Sequence, residues 1–151
     1  WYLLFAIFTT GLIKQNYSQK FRQVHYYYNH ASMPYTPKDG FVVEGKNALP
    51  FIENQLLPKL NLTDTEQEEL LYSIKVSLGQ NSIPSFYQIS IIPKEIIDKE
   101  LPINISPKPE IVIRNFVYLK PLAEKVELAP PNLPTIERKG FTVIDNGVLA
   151  E

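Results

Sequence analysis

Proline is placed in this chain so as to forbid a helix through most of its second half. Seven of the thirteen prolines fall between positions 102 and 134: Pro102, Pro107, Pro109, Pro121, Pro130, Pro131 and Pro134. Each removes a backbone donor and fixes its own φ, so these residues mark strand edges and stiff connectors and exclude a continuous helical bundle. Between them stands Ile111-Val112-Ile113-Arg114-Asn115-Phe116-Val117-Tyr118. That run is β-branched and aromatic almost throughout, and it predicts the strongest strand of the fold. Weaker strands are predicted at 86–92, 103–105 and 125–128, and a single helical turn at 93–98.

Two phrases near the ends of the main body echo each other: Lys38-Asp39-Gly40-Phe41-Val42-Val43 and Arg138-Lys139-Gly140-Phe141-Thr142-Val143. Each is a charged turn, a glycine and then an alternating Phe-x-Val run. Gly40 and Gly140 suit the positive φ of a tight turn, and the alternation after them reads as a strand with one buried face. Gly40, Phe41, Gly140 and Phe141 are therefore assigned structural roles, as the openings of two strands that bound one folding unit.

The first half carries the helices. Asn47 is placed to cap a helix over 48–59, with Pro50 in its first turn and Pro58 ending or kinking it. Thr63 followed by Glu66 matches a capping box, and Leu70, Leu71, Ile74 and Leu78 give the second helix its buried stripe. Gly79 follows as the residue that closes it. The expected class is α+β, a helical hairpin packed on a mostly antiparallel sheet.

Hydrophobic residues make up 44% of the chain, enough to fill the core of one domain of 151 residues. The net charge of -1, without any run of Lys and Arg, argues against nucleic acid as a partner. With no cysteine, disulfides, thiolate metal sites and thiol nucleophiles are excluded. Residues 1–13 are uncharged and apolar up to Lys14. Three readings of 1–24 compete: the end of a truncated membrane anchor flanked by Lys14, Lys20 and Arg22, a targeting remnant, or an ordinary buried strand or helix. Membrane contact through 1–13 is accordingly one expectation, and 25–151 is read as a single domain.

Few residues offer chemistry. His25 and His30, even with Asp39 or Glu44, match no common metal-ligand spacing and read as loop or edge residues. Glu44 and Asp145 follow the two echo strands. If those strands pair, the two acids converge as a general acid and base, although acids in such places usually face solvent. Arg114 interrupts the most apolar strand, where it either snorkels at the edge of the face it shares with Val112 and Phe116 or forms a buried ion pair. Tyr26, Tyr27, Tyr28 and Tyr118 offer aromatic area with polar tips for a ligand, or simply cover a sheet. Asn16, Asn61 and Asn104 each begin an N-glycosylation pattern, which matters only in a eukaryotic secretory setting. No nucleophile elbow, phosphate loop or dinucleotide fingerprint is present, and no cofactor is implied.

Several phrases in one order resemble a known family: Asp39-Gly40-Phe41-Val42-Val43-Glu44-Gly45, Ile105-Ser106-Pro107-Lys108-Pro109, Val112-Ile113-Arg114, Tyr118-Leu119-Lys120-Pro121-Leu122 and Glu137-Arg138-Lys139-Gly140-Phe141-Thr142-Val143. The set resembles an uncharacterised family of secreted or cell-envelope proteins of Firmicutes and related bacteria, over about residues 25–147. The resemblance implies an extracytoplasmic location and brings no catalytic residue with it. The chain departs from the family pattern twice, each time at a tryptophan. Tyr72-Ser73-Ile74-Lys75 stands in place of Tyr-Trp-Leu-Pro, and Ile144-Asp145-Asn146-Gly147 in place of Glu-Trp-Gly-Gly.

Two functions follow as expectations. One is a non-enzymatic structural or interaction domain at a membrane or cell envelope, with other protein subunits as partners. A variant of it is an accessory subunit of an organelle membrane complex. The other is an envelope protein that binds or hydrolyses carbohydrate or peptide, with Tyr26, Tyr28, Glu44 and Asp145 as its site.

Overall fold

A computed structural model describes residues 35–79, 83–133 and 135–151, and the apolar run at 111–118 lies inside its sheet. The four strands are β1 (Phe41–Glu44), β2 (Phe86–Ile91), β3 (Ile111–Leu122) and β4 (Thr142–Ala150). They stand side by side in chain order. β1 pairs antiparallel with β2 and β2 with β3, while β3 and β4 run parallel. The observed architecture is α+β, with a helical segment against a mostly antiparallel sheet.

β3 is central and buried on both faces, which is why its sequence is a continuous apolar run rather than an alternation. Ile113, Val117 and Leu119 face one side and Arg114, Phe116 and Tyr118 the other. Pro121 is tolerated inside this strand for a local reason. Leu119 O accepts from Glu151 N at 3.0 Å, so odd-numbered residues of β3 turn their backbone groups toward β4. The donor missing at Pro121 falls level with the chain beyond Ala150, where β4 has stopped.

The helices cover the first face. Residues 45–59 form one irregular helical run: a tight turn at Gly45–Asn47, α1 (Ala48–Phe51), a widened turn at Ile52–Leu56 and a tight turn at Leu57–Lys59. Pro58 explains the irregularity, since it offers no N–H to the carbonyl four residues earlier. The predicted helix is therefore present in altered form. Asn47 caps nothing with its side chain, which instead donates to Glu44 Oε2 at 3.2 Å.

α2 (Asp64–Leu78) forms as predicted. Thr63 N donates to Glu66 Oε2 at 2.8 Å and Glu66 N to Thr63 Oγ1 at 3.4 Å, the two halves of the capping box. Gly79 ends the helix at φ +69°. Ile52, Leu56, Leu57, Leu70, Leu71 and Ile74 then pack on Ile89, Ile91, Val117 and Leu119. A smaller core lies on the other face, where α3 (Lys94–Glu100) brings Ile97 and, just after it, Leu101 onto Phe116 and Tyr118.

The proline-rich connector 123–141 is the crossover that a parallel pair requires. Gly40 N donates to Ala129 O at 2.8 Å, so the connector lies along the outer edge where β1 begins. It then passes to the start of α2. Leu133 packs in the helical core, Asn61 Nδ2 donates to Ile136 O, and Arg138 Nε donates to Asn61 O at 3.0 Å. Arg138 Nη1 donates to Glu66 Oε1 at 3.1 Å, so one carboxylate both caps α2 and anchors the crossover.

Burial pushes the Glu66 carboxyl up, but its bonds from Arg138 and Thr63 outweigh that and hold it below the ordinary 4.5. A carboxyl lowered in the folded state stabilises above its unfolded pKa, and the contribution fades as pH falls through the folded value. Glu66→Gln is expected to lose about 1 kcal/mol near pH 7. It is also expected to flatten the fall in stability below about pH 4.5. Urea unfolding at a series of pH values checks both, and parallel curves for mutant and parent would refute the assignment.

Three expectations are corrected. Strands predicted at 103–105 and 125–128 do not form; the first is trapped between Pro102 and Pro107 and the second runs free of the sheet. The echo strands do not pair with each other, because β2 and β3 stand between them. The reading of a membrane-anchored protein is withdrawn. No helix among the described residues is long and apolar enough to cross a membrane. That run itself, the proposed boundary after residue 24, the strand at 24–29, His25, His30, Tyr26 and Tyr28 all lie outside the described residues.

Candidate functional site

Arg114 and Asp145 are directly opposite each other in the β3–β4 register, on the face covered by α3. Arg114 Nε donates to Asp145 Oδ2 at 2.7 Å, and Nη2 lies 2.7 Å from the same oxygen. The side chains are 1% and 3% exposed, so this is a buried ion pair. Nη2 is in ion-pair contact but lacks the angle for a hydrogen bond. Arg114 Nη1 also donates to Asp98 Oδ1 at 3.1 Å, and Asp98 is 45% exposed. The guanidinium carbon stands 5.6 Å from the centre of the Phe116 ring.

The local sequence accounts for each placement. Period-two alternation puts Arg114 on the Phe116 side of β3. Parallel register brings Asp145 level with it. One turn and a half of α3 carries Asp98 over the pair, where Lys94 also bonds it. Burial pushes the Asp98 carboxyl up, but the bonds from Lys94 and Arg114 outweigh this and hold it below its ordinary value. Chemically the cluster is a permanent cation clamped by two carboxylates. It fastens β3, β4 and α3 to one another.

A second polar group lies further along the same face. Tyr118 OH donates to Glu151 Oε1 at 2.6 Å, and Glu151 Oε2 lies 2.8 Å from Lys120 Nζ. Burial and the Glu151 carboxylate push the Tyr118 hydroxyl well above its ordinary value. Bonds from Lys120 and Tyr118 hold Glu151 below its own. Tyr118 is fully buried, so it offers a ligand no area. Gln88 and Ser90 complete the polar set on this face. Gln88 Nε2 donates to Pro37 O and Asp39 O at 3.1 Å each, and Ser90 Oγ to Asp39 O at 2.6 Å, holding the chain before β1 against the sheet.

The predicted acid pair is not assembled. Glu44 and Asp145 sit on strands at opposite edges of the sheet, and the registers place Glu44 level with Leu122 and Asp145 level with Arg114, so three strand steps and eight residues along the strands put them roughly 30 Å apart. Glu44 is exposed and ion-paired with Lys46 at 3.1 Å. It borders an open depression of about 330 Å³ with Lys46, Ile83 and Phe86. A second cleft of about 280 Å³ lies between the end of α2 and β3, lined by Leu78, Tyr87, Leu119 and Glu151. Neither gathers Glu44 and Asp145 together. Among the described residues no group of three or more His, Cys, Asp or Glu is placed to hold a metal ion.

Of the structural assignments, Phe41 meets Phe51 with ring centres 5.0 Å apart, and Phe141 accepts at its carbonyl from Glu110 N at 2.9 Å and donates its N–H to Glu110 Oε1 at 3.3 Å. Sequence reasoning did not find Asp98 as the third member of the Arg114 cluster, nor Glu151 as the partner of Tyr118. The only signal for Asp98 was its spacing from Lys94 on a short helix. Comparison of the chain with protein-family models, with curated proteins and with solved structures finds no match.

Proposed function

We propose that this chain is a non-catalytic structural or interaction domain that works as a subunit of a protein assembly. The observation that carries the reading is the Arg114–Asp145–Asp98 cluster: among the described residues the most deeply buried ion pair, Arg114 with Asp145, is engaged in joining β3 and β4, and Asp98 adds α3 to it. A guanidinium that is held by two carboxylates positions chain segments and transfers no proton. The alternative, hydrolysis by Glu44 and Asp145, needs two carboxylates on one substrate, and these two flank opposite edges of the sheet. The resemblance to secreted and cell-envelope proteins supports an extracytoplasmic setting for such a subunit.

The test is a set of fluorogenic ester, glycoside and peptide substrates given to the purified full chain and to Asp145→Asn. Both proteins are expected to show only the buffer rate, while the substitution lowers the melting temperature. Turnover by the parent that disappears in Asp145→Asn, with the fold retained by circular dichroism, would overturn the proposal.

A further inference from the structure

We infer that β4 is a self-pairing edge and that two copies of this chain join their sheets through it, antiparallel and centred on Asn146. The inference rests on the interaction-domain reading above and names its partner.

The two edges of the sheet are unequal. β1 has four residues, and the connector bonds its outer side at Gly40 through Ala129. β4 has nine residues, and among the described residues no strand pairs with its outer side. An open edge of that length is normally guarded by lysine, proline or a bulge. β4 reads Thr-Val-Ile-Asp-Asn-Gly-Val-Leu-Ala, with no lysine and no proline. Its one charge, Asp145, is directed at Arg114 and guards nothing.

The hydrogen-bond phase of the edge is fixed by its neighbours. Phe141 O accepts from Glu110 N at 2.9 Å and Glu151 N donates to Leu119 O at 3.0 Å, so odd-numbered residues of β4 bond inward to β3. The N–H and C=O groups of Thr142, Ile144, Asn146, Val148 and Ala150 therefore point outward. A two-fold axis at Asn146 sets 142 against 150, 144 against 148 and 146 against itself. Every outward group then meets an outward group, which is the pattern of an antiparallel ladder.

The side chains agree with the same register. Ile144 meets Val148 on the helical face, and Val143 meets Leu149 on the α3 face. Asp145 meets Gly147, so the two carboxylates are not opposed. Moving the axis to 145 brings Asp145 against its own copy, and like charges directly opposite destabilise a strand pair. Moving it to 147 shortens the overlap and sets Asp145 against Leu149. Only the axis at Asn146 keeps all nine residues paired with apolar against apolar and the charges apart. The joined sheet has eight strands. Strand addition of this kind draws its affinity from main-chain bonds and its register from alternate side chains.

Sedimentation equilibrium of the full chain is expected to give twice the monomer mass of 17.4 kDa. Because the chain has no cysteine, single introduced cysteines report the register. Asn146→Cys is expected to form a covalent dimer on mild oxidation. Ala150→Cys, exposed but separated from its own copy by about 27 Å in this register, is expected to stay unlinked. A monomer at tens of micromolar, the result if another segment of the same chain covers β4, would refute the inference. So would a dimer linked through Ala150→Cys and not through Asn146→Cys. Substrate turnover, measured separately as above, refutes the non-catalytic reading without touching this one.

Discussion

Asp145→Ala is expected to lower the stability of the fold by about 3–5 kcal/mol, because it leaves the Arg114 guanidinium buried without its main counter-ion. The side chains of the pair are 1% and 3% exposed, so water cannot replace the lost carboxylate cheaply. Asp98 remains 3.1 Å from Nη1, but it is half exposed and shared with Lys94, so it cannot neutralise the cation alone. Arg114→Lys is expected to be nearly as damaging, since an ammonium cannot span Asp145 and Asp98 as a planar fork does. The double replacement Arg114→Met with Asp145→Val is the informative control. It removes both charges together and keeps the volume, and it is expected to lie within about 2 kcal/mol of the parent. Urea unfolding of the four proteins compares the broken pair with the pair removed whole. A loss under about 1 kcal/mol for Asp145→Ala would mean that the pair is solvated, and the account of β3, β4 and α3 as one fastened unit would fail.

What the sequence disclosed about this site, and what it hid, follow from the range of the interactions. α2 was legible because its capping box spans three residues and its terminal glycine follows directly. β3 was legible as a strand, and alternation placed Val112, Arg114 and Phe116 on one face. The partner of Arg114 was not legible. Asp145 lies 31 positions away, and only the order and direction of the strands bring the two together. Strand order is set by where the connector can run, here past Gly40 and then past Asn61 and Glu66. None of those contacts leaves a local pattern. For the same reason the two echo phrases marked strands that bound one unit without showing that these strands are the two edges of the sheet. A continuous apolar run such as β3 also conceals which residues meet α1 and α2 and which meet α3, because both faces are buried.

Those echo phrases share a glycine but not its surroundings, and the difference is measurable. At Gly40 φ is +149°, and an added Cβ would stand 2.3 Å from Ser90 Oγ and 3.0 Å from Ile89 O. Ser90 cannot simply turn away, since its hydroxyl donates to Asp39 O and accepts from Gln88 Nε2, the contacts that hold the chain before β1. Gly40→Ala is therefore expected to cost roughly 3 kcal/mol, from backbone strain together with a disrupted buried hydrogen bond. At Gly140 φ is +57°, and the atoms nearest to an added Cβ would be those of the Glu110 carboxylate. That is the far end of a flexible side chain and can swing aside. Gly140→Ala is expected to cost about 1–2 kcal/mol, the ordinary penalty of a left-handed residue with a Cβ, and Gly140→Asn less. Thermal unfolding of the three variants ranks them, with Gly40→Ala lowest in melting temperature. Gly40→Ala with Ser90→Gly, which removes the obstructing hydroxyl, is expected to recover none of the backbone strain and to lose the Asp39 contact as well. If that double variant instead regained parental stability, the conformation at Gly40 would be unstrained and the clash with Ser90 its whole cost.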